Sequence, residues 1–560
     1  MRWILPEGKD EELVAQMAEK LGVSRYVAEI ISRRGYGVNE ETELFLSPKL
    51  QNLSDPYLLP DMQAAVDRIF LAKERGESVV LYGDYDVDGV TSLALLSEVL
   101  DAYGIKVSTF LPHRMDEGYG LSPEGVERCL QEKNPDLLIA VDCGTSSVEE
   151  IRALLEKGVE TVVLDHHECK EELPPAVAIV NPKRGDTFTY LCSVGIVFKV
   201  AHALMKQQKL EDYDLRGVLD LVAIGTVADL VPLEGDNRIM VRAGLRRLED
   251  PERPGVKVLK EVSRLNGVVT AADIGFRLGP RLNASGRLYT AQESLELLQT
   301  KDPQRAKELA SDLDDYNRDR QAMGQEILEQ AKAEILEKDL GKQKIIILGR
   351  EGWHSGMIGI VASQIMRMYY RPTIIVGFEN GVGKGSGRSV EGFSLVHALQ
   401  QFEKYLVKFG GHEMAAGFTV NDDQFEEFRQ YLTEYAERVL TPEQLDPRLH
   451  LDVELPFEEM NFNLWEEYQA LEPFGMGNPR PMFYARGVAP QQPPKVLKEK
   501  HLKFEFGNGR ERIEAIYFGG ATGELPRPPW DIAYYMDRNE FRGTVRIQAQ
   551  VHAIRQASVE

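Results

Sequence analysis

The run Gly83-Asp84-Tyr85-Asp86-Val87-Asp88-Gly89 joins two apolar segments, Ser78–Tyr82 before it and Val90–Leu96 after it. The first segment is typical of a buried strand and the second of a helix, so the run predicts a strand-to-helix turn. Three carboxylates at alternate positions of such a turn repel one another, and hard cations such as Mg²⁺ and Mn²⁺ are their usual compensation. The alternative is an acidic first turn of a helix, which the helix dipole favours. Because one Asp fits that alternative better than three followed by Gly, the run predicts a metal site.

The bulk composition is that of a globular protein with several domains. The chain has 560 residues, 43% of them hydrophobic and 28% charged, and no apolar run approaches the roughly 18 residues that span a membrane. Its first residues lack an apolar signal core and its four cysteines form no CxxC pair, which predicts a cytoplasmic protein without disulfides or a thiolate zinc site. The net charge of −23 disfavours nucleic acid as a partner unless basic residues cluster locally.

Strand-like apolar runs alternate with amphipathic helical runs between residues 51 and 265. This alternation predicts an α/β catalytic domain with a parallel sheet. The ligand sites of such sheets lie beyond the carboxyl ends of the strands. The strand candidates are Val79–Tyr82, Lys106–Phe110, Leu137–Val141, Thr161–Leu164 and Ala178–Val180.

Four further regions flank this domain. Residues 1–50 are polar and predict a helical N-terminal appendage. Residues 266–340 predict a phosphate-binding loop and then a long connecting helix, with Asp302 as its N-cap and Pro303 as its first residue. Residues 341–445 predict a second, smaller α/β domain, and residues 446–560 predict an all-β module that resembles a small barrel.

Metal-type ligands recur where predicted elements end. Asp142 follows the third strand candidate, Asp165-His166-His167 follows the fourth, and Asp229 follows the apolar element Leu219–Ala228. A single Asp after a strand is more often the cap of the next helix. The joint pattern instead predicts that several α/β units deliver ligands to one edge of the sheet. Mostly carboxylate with one imidazole suits Mn²⁺ or Mg²⁺, and the set is large enough for two ions that share a bridging Asp, as in attack at phosphorus.

These residues together resemble the DHH phosphoesterase superfamily. The resemblance implies a catalytic centre with two Mn²⁺ or Mg²⁺ ions, in which Asp142 bridges the ions. The implied metal ligands are Asp86, Asp88, Asp142, His166 and Asp229.

The resemblance also assigns the remaining residues of these motifs. It implies that His167 contacts the scissile phosphate or aids proton transfer, and that Asp165 orients the two histidines. Many smaller members of the superfamily have a His at the position of Tyr82 in this chain. Asp84 is therefore expected to supply the missing ligand.

Basic and glycine-rich segments predict contacts with phosphate. Gly279–Arg287 packs two arginines and an Asn into a predicted turn, for which a purely structural loop is the alternative. Gly352–Gly359 predicts a glycine-rich helix start of the kind that binds anions. Gly383–Ser389 predicts a strand edge whose alternate polar side chains face one phosphate, and with Phe409–Gly417 it resembles the substrate-binding (DHHA1-like) domain of the superfamily. The predicted substrate-binding residues are Arg114, Arg281, Asn283, Arg287, His354, Lys384, Ser386, Arg388 and His412.

The string Leu471–Pro481 and the β-rich tail resemble the oligonucleotide-binding (OB) barrel of the superfamily's single-stranded-DNA exonucleases. The resemblance implies a 5′→3′ exonuclease of DNA recombination and repair that releases 5′-mononucleotides from single-stranded DNA. It also implies a monomer that works with a single-strand-binding protein and a helicase. The alternatives are a phosphodiesterase of short oligonucleotides or cyclic dinucleotides and a non-catalytic DNA-binding scaffold.

Overall fold

A computed structural model of the protein describes residues 1–8, 10–113, 117, 120–288, 290–507, 512–541 and 543–557. Its strands are β1 (Arg2–Ile4), β2 (Val79–Gly83), β3 (Val107–Phe110), β4 (Leu137–Val141), β5 (Glu160–Leu164), β6 (Ala178–Val180), β7 (Ile346–Glu351), β8 (Thr373–Glu379), β9 (Val382–Arg388), β10 (Leu406–Gly411), β11 (Ala415–Asn421), β12 (Arg448–His450), β13 (Val453–Glu454), β14 (Phe483–Val488), β15 (Lys495–Leu497), β16 (His501–Phe506), β17 (Ile513–Tyr517), β18 (Trp530–Phe541) and β19 (Thr544–Gln556). Its helices are α1 (Glu11–Leu21), α2 (Arg25–Arg33), α3 (Glu40–Leu46), α4 (Met62–Arg75), α5 (Val87–Ala102), α6 (Pro123–Lys133), α7 (Val148–Glu156), α8 (Ser193–Gln207), α9 (Leu219–Ala228), α10 (Gly235–Glu249), α11 (Pro254–Val262), α12 (Ala271–Asp273), α13 (Gly279–Leu288), α14 (Gln292–Gln299), α15 (Pro303–Glu337), α16 (Ser355–Tyr369), α17 (Leu395–Gln401), α18 (Asp422–Val439) and α19 (Phe462–Gln469). Within these ranges no helix is long and apolar enough to cross a bilayer.

The chain forms two compact units. The larger contains Ile4–Gly286, Thr290–Ser311 and the chain from His450 onward, and the smaller contains Asp312–Leu449 with Arg287. The chain passes from the larger to the smaller unit within α15, which begins at Pro303 as predicted. Asp302 caps this helix, because its Oδ1 accepts a hydrogen bond from the Gln304 amide at 2.9 Å.

A parallel five-stranded sheet in the order β3-β2-β4-β5-β6 organises the catalytic part of the larger unit. Its central strands β2 and β4 are buried along their whole length, which is why they appear as continuous apolar runs and not as alternating patterns. Helices cover both faces of the sheet, with α6 and α7 packed on one face and α5 and α8 on the other. The predicted parallel sheet and its five strands are confirmed.

The C-terminal module is a seven-stranded mixed sheet in the order β13-β14-β18-β19-β17-β16-β15. Its core continues into the N-terminal helices, where Met17, Ile30 and Ile31 pack in the same hydrophobic cluster as Phe483 and Phe504. The prediction of an N-terminal appendage is therefore wrong. Helices α1 and α2 have polar outer faces, and their apolar faces pack against each other and into the core of the C-terminal module.

The smaller unit contains a five-stranded sheet in the order β10-β11-β9-β8-β7, in which only β7 and β8 run parallel. Helix α16 packs against β8 and β9, and α18 packs against β11. Strand β9 lies in the middle of this sheet, so the prediction that Lys384, Ser386 and Arg388 follow a strand edge is wrong. They do share one face of β9, because alternate residues of a strand point to the same side.

Candidate active site

The aspartate run lies at the carboxyl end of β2, where the chain turns into α5. Asp86 is the N-cap of α5, and its Oδ1 accepts hydrogen bonds from the amides of Asp88 and Gly89 at 2.9 and 3.2 Å. A Cβ at position 89 would lie 2.4 Å from the Asp84 carbonyl oxygen, so the turn requires Gly there. The local geometry thus holds three carboxylates within one tight turn.

Asp142 follows β4, the strand beside β2. Its φ of 63° lies in the left-handed region that residues other than Gly and Asn rarely adopt, a strain typical of functional sites. Its amide donates to the Leu164 carbonyl at 3.0 Å, and its Oδ1 accepts a hydrogen bond from the Ser193 hydroxyl at 2.9 Å. These contacts fix the carboxylate of Asp142 at the carboxyl end of the sheet.

The Asp165-His166-His167 segment follows β5. Buried Asp165 accepts hydrogen bonds from the amides of both histidines and from His167 Nδ1 at 2.7 Å, and its Oδ2 accepts one from the Thr145 amide. Burial opposes ionisation of Asp165, but the bonds to His167 and Thr145 outweigh burial and hold its pKa below the ordinary value. Asp165 is therefore an anionic anchor that fixes the ring of His167.

Asp229 lies at the C-cap of α9, where its amide donates to the Gly225 carbonyl at 2.9 Å. The apolar element before Asp229, whose type the sequence left open, is therefore a helix and not a strand. Helix α9 is buried on all sides and therefore carries apolar residues all round, so its sequence has no helical periodicity to distinguish it from a strand.

Helix α8 makes a contribution that the sequence did not indicate. Both oxygens of Asp88 accept hydrogen bonds from its first amides, those of Ser193 at 2.7 Å and Val194 at 2.9 Å. The same turn provides the Ser193 hydroxyl that binds Asp142, and Cys192 directly before it is fully buried. Segment 192–194 has no charged ligand, and this is why no motif pointed to it.

The carboxyl ends of β2, β4 and β5 and the end of α9 bring all six predicted metal ligands together. His166 Nε2 lies 3.4 Å from Asp142 Oδ1, 3.6 Å from Asp229 Oδ2 and 4.0 Å from Asp88 Oδ2. Three groups of donor atoms each fit within 4.8 Å, namely Asp84, Asp86 and Asp142; Asp142, His166 and His167; and Asp88, Cys192 and Asp229. Asp142 belongs to two of these groups, which places its carboxylate between them.

The electrostatics of this cluster fit divalent cations. Burial and the neighbouring Asp86 charge raise the pKa of Asp88 to about 7, and burial with the Asp88 charge raises that of Asp229 to about 9 and that of Asp142 well above its usual range. Burial lowers the pKa of His166 to about 4, so its imidazole is neutral. His166 Nε2 and Asp229 Oδ2 are buried and have no hydrogen-bond partner among the described residues. Divalent cations bound by these residues would offset the repulsion between the carboxylates. They would also provide a partner for the two buried atoms that lack a hydrogen bond.

Tyr82 takes no part in this cluster. Its ring is fully buried and stacks on Phe110 with ring centres 5.0 Å apart, and its hydroxyl donates to the Gly120 carbonyl at 3.1 Å. The position where smaller relatives have His thus belongs to the core of the sheet. Asp84, two residues later, provides the additional carboxylate.

Three segments of the chain match known domain families. Residues 78–226 match the N-terminal domain of the DHH family, residues 342–438 the DHHA1 domain and residues 451–553 the RecJ OB domain. The chain is also 35% identical to the single-stranded-DNA-specific exonuclease RecJ of Bacillus subtilis, over 98% of this chain and 70% of that protein. The chain belongs to the RecJ family.

Solved RecJ structures share this fold. RecJ from Thermus thermophilus in complex with Mn²⁺ matches with a TM-score of 0.87 and 30% identity, over 100% of this chain and 80% of that chain. The complex of the same protein with Mg²⁺ matches with a TM-score of 0.80 and 28% identity, over 100% and 79% of the two chains. The predicted order of a DHH domain, a smaller α/β domain and an OB domain is therefore confirmed as the RecJ architecture.

The predicted phosphate-binding loop of this RecJ-family chain is a helix. Residues Gly279–Leu288 form α13, which continues from a π-helical turn at Ile274–Leu278. Pro280 has no amide hydrogen to donate within a helix, and in a regular α-helix its ring would clash with the carbonyl four residues earlier. The π turn directly before Pro280 changes the position of that carbonyl. Two glycines and a proline were therefore misleading signals of a turn.

One face of α13 lies along the metal-ligand cluster. A Cβ on Gly279 would lie 3.6 Å from Ala228 Cβ, next to Asp229, and one on Gly286 would lie 2.8 Å from the carbonyl oxygen of Tyr85. Asn283 shares this face, because positions i, i+4 and i+7 of a helix align. Arg281 points elsewhere and donates to the carbonyls of Arg277 at 2.8 Å and Val262 at 3.4 Å.

In the smaller unit, predicted phosphate-binding residues gather at the first turn of α16. His354 is the N-cap, and its Nδ1 accepts a hydrogen bond from the Gly356 amide, whose carbonyl accepts one from Arg287. A Cβ on Gly359 would lie 3.0 Å from Ser386 Oγ and 3.2 Å from Arg388 Nη2. Glycine therefore lets the hydroxyl and guanidinium of β9 approach the start of the helix.

Two other predicted residues of the smaller unit lie apart from this group. Lys384 is four residues from Arg388 along β9, about 13 Å away, so a single phosphate does not reach both. His412 lies in the exposed turn between β10 and β11, close to the strand end where Ala415 pairs with Arg388. Arg114 lies outside the described residues.

The OB domain exposes an aromatic side chain that sequence reasoning missed. Phe483 is in the core and Phe474 packs against it. Phe518 has 55% of its surface exposed, and its ring centre lies 5.2 Å from that of His501. The neighbouring turn carries Lys498 and Lys500, for which the described residues provide no ion-pair partner.

Proposed function

We propose that this protein degrades single-stranded DNA from the 5′ end and releases 5′-mononucleotides. RecJ membership supports the single-strand-specific exonuclease activity. The observation that carries the mechanism is the meeting of Asp142, Asp229 and Asp88 around His166 Nε2 within 4.0 Å. A neutral imidazole cannot form an ion pair with the carboxylates around it. Imidazole and carboxylate are, however, both ligands of divalent cations.

The described residues divide naturally between two ions, Mn²⁺ or Mg²⁺. Asp84, Asp86 and Asp142 would hold one, and Asp88, His166 and Asp229 would hold the other, with Asp142 between them. Two bound divalent cations activate a water molecule and stabilise the charge on the phosphoryl oxygens. The hydrogen bonds from the amides of Ser193 and Val194 orient the carboxylate of Asp88.

His167 is the candidate proton donor to the leaving 3′ oxygen. Its Nδ1 faces Asp165, so Nε2 is the ring atom available to substrate, and the side chain is 41% exposed. Burial disfavours the imidazolium, but the hydrogen bond and charge of Asp165 outweigh burial and raise the pKa of His167 above its ordinary value. A protonated His167 can give its proton to the 3′ oxygen as the phosphorus–oxygen bond breaks.

Phosphates of the strand are proposed to bind Asn283 on α13 and, in the smaller unit, Ser386, Arg388 and the first turn of α16. Helix amides and a guanidinium are strong donors to phosphate oxygens. Phe518, with Lys498 and Lys500 beside it, is the proposed stacking site for a base further along the strand. The protein partners and the monomeric state remain predictions of the resemblance, and the cytoplasmic location remains a prediction from the N-terminal sequence and the cysteine pattern.

Digestion of single-stranded DNA labelled at either end tests this function. With Mn²⁺ we expect the 5′ label to appear first, as a mononucleotide, and no release of label in EDTA. Duplex DNA of the same sequence and a cyclic dinucleotide serve as comparison substrates, and both should be cut much more slowly. Release of the 3′ label first, or full activity in EDTA, would refute the proposal.

A further inference from the structure

The segment Leu471–Asn478 is a clasp on the metal-binding domain, although the longer string Leu471–Pro481 resembles part of a DNA-binding barrel in sequence. The Leu233 amide donates to the Met476 carbonyl at 2.8 Å. A Cβ on Gly475 would lie 2.7 Å from Leu233 Cδ1, and one on Gly477 would lie 3.1 Å from Pro232 Cβ. Residues 475–477 therefore lie directly against loop 230–234, which starts at Asp229.

The clasp is internally braced. Asn478 is 2% exposed, and its Nδ2 donates to the carbonyls of Leu471 at 2.8 Å and Pro473 at 2.7 Å, while its Oδ1 accepts a hydrogen bond from Arg34. The amides of Gly475 and Asn478 also bond to each other's carbonyls at 2.9 and 3.2 Å. Such a closed turn holds the Met476 carbonyl in one position for Leu233.

Arg238, in the first turns of α10, binds the start of the clasp. It is 2% exposed and donates to the carbonyls of Phe45 at 2.8 Å, Glu472 at 2.9 Å and Ala470 at 3.0 Å. Among the described residues it has no carboxylate partner, and its guanidinium lies 3.8 Å from the centre of the Phe45 ring. A buried guanidinium that binds only main-chain carbonyls fixes the relative position of these three segments.

Loop 230–234 joins α9 to α10 and is bonded to both helices. The Leu230 amide donates to the Val227 carbonyl at 3.4 Å, the Pro232 carbonyl accepts from Asn237 at 2.9 Å, and the Glu234 carbonyl accepts from the Arg238 amide at 3.1 Å. Between these ends Leu230 is 66% exposed with a φ of 62°. Asp229 lies at the junction of α9 and this loop, four residues before Leu233, whose amide binds the clasp. The clasp provides this contact from a segment more than 240 positions later in the chain.

We propose that the clasp and Arg238 are positioning residues for the metal centre, which they serve by fixing loop 230–234 and so the carboxylate of Asp229. The inference rests on the proposed role of Asp229 as a metal ligand. It gives the C-terminal module a task beyond binding DNA: the ion site of Asp88, His166 and Asp229 is complete only when that module is docked on α10.

Arg480, two residues after the clasp, gives a matched control. Its guanidinium donates to the Tyr468 hydroxyl at 3.3 Å and the Met536 carbonyl at 2.6 Å, and lies 4.9 Å from the Tyr535 ring centre. These contacts are internal to the C-terminal module and do not touch loop 230–234. Arg480→Gln therefore weakens the module without loosening Asp229.

The test compares Asn478→Ala and Arg238→Gln with Arg480→Gln in the full-length protein. Free Mn²⁺ is titrated into metal-free protein and counted by electron paramagnetic resonance, and hydrogen exchange of amides 229–234 is followed by mass spectrometry without metal or DNA. We expect the first two variants to weaken one of two Mn²⁺ sites at least 10-fold, to leave the other unchanged, and to speed exchange of the loop at least 10-fold. Arg480→Gln should change neither.

Unchanged Mn²⁺ affinity and loop exchange in both clasp variants, or equal changes in Arg480→Gln, would overturn the proposal. If Arg238→Gln does not fold, Asn478→Ala alone decides, because it removes only two hydrogen bonds within the turn and the acceptor of Arg34. If the unaltered protein binds no pair of Mn²⁺ ions, the proposed function fails. The exchange rates of loop 230–234 then still decide whether the clasp holds it.

Discussion

The same strand-turn-helix unit occurs in both compact units of the molecule, with opposite chemistry. In the larger unit β2 leads into α5, whose N-cap is Asp86, and in the smaller unit β7 leads into α16, whose N-cap is His354. The first helix start is filled by the chain's own carboxylate. The second has Ser386 and Arg388 beside Gly359, its fifth residue.

This difference decides what each site attracts. A helix N-terminus favours negative charge, and Asp86 already satisfies the first amides of α5, so the surplus carboxylates around it need cations. At α16 an imidazole nitrogen accepts from Gly356 and contributes no negative charge, so the dipole and the guanidinium of Arg388 act together on an anion. This difference supports the proposal that the larger unit binds metal ions and the smaller unit binds phosphates.

Asp142→Asn should have the largest effect on activity, because Asp142 belongs to two groups of potential metal ligands and no other residue can replace its charge. We expect kcat to fall about 10³-fold or more, which corresponds to at least about 4 kcal/mol of transition-state stabilisation. Binding of a 30-nucleotide strand to Arg388 and Ser386 should change little. Fluorescence anisotropy with labelled strand measures it, and a parallel loss of binding would contradict separate metal and phosphate sites.

Arg388→Gln tests the phosphate side. It removes a half-buried guanidinium, so we expect KM for single-stranded DNA to rise about 10- to 100-fold, as for a lost charge-assisted hydrogen bond of about 1.5–3 kcal/mol. Mn²⁺ affinity should stay the same. Arg429→Gln on α18, where Arg429 pairs only with Glu426 among the described residues, is the matched control and should leave KM unchanged.

The metal-free protein should lose stability as pH rises, because the pKa values of Asp88 and Asp229 are raised to about 7 and about 9. Unfolded carboxyl groups titrate near 4, so the folded state holds protons that the unfolded state has released, from about pH 4 up to about pH 7 on Asp88 and up to about pH 9 on Asp229. Stability then falls by about 1.4 kcal/mol per pH unit for each such proton. Melting temperatures in EDTA at pH 6, 7 and 8 should therefore decline.

Two comparisons isolate this effect from other titrating groups. Asp229→Asn removes one of the protons concerned, so its melting temperature should decline less steeply with pH than that of the unaltered protein. Saturating Mn²⁺ should abolish or reverse the decline, because ion binding favours the deprotonated carboxylates. Equal slopes for the variant and the unaltered protein would mean that the carboxylates of the cluster are ionised without metal.

The parallel strands and their ligands were predictable because each strand is a short apolar run and each ligand follows directly after it. Helix α9 was not, because full burial removes the periodicity that identifies a helix. Helix α13 was not, because its glycines serve close approach to Ala228 and Tyr85 and not a turn. The clasp could not be inferred either: main-chain carbonyls carry no sequence signal, and its contacts join segments far apart in the chain.

Phe518→Ala should have the smallest effect of these changes, and it should act on DNA binding alone. Stacking of a base on Phe518 depends on neither the cation site nor the phosphate site. Loss of one base–aromatic stack costs about 1–3 kcal/mol, so binding of a 30-nucleotide strand should weaken about 5- to 100-fold.

Phe462 is the matched control, since it is 48% exposed in the same module but flanked by Glu458, Glu459, Glu466 and Glu467. Phe462→Ala should leave DNA binding unchanged, because acidic neighbours repel phosphate whereas Lys498 and Lys500 attract it. Short strands separate the sites further: a strand that reaches the metal centre without reaching the OB domain should be cut equally well by Phe518→Ala and the unaltered protein. Equal losses at all strand lengths would mean that Phe518 supports the fold of the module and does not stack on a base.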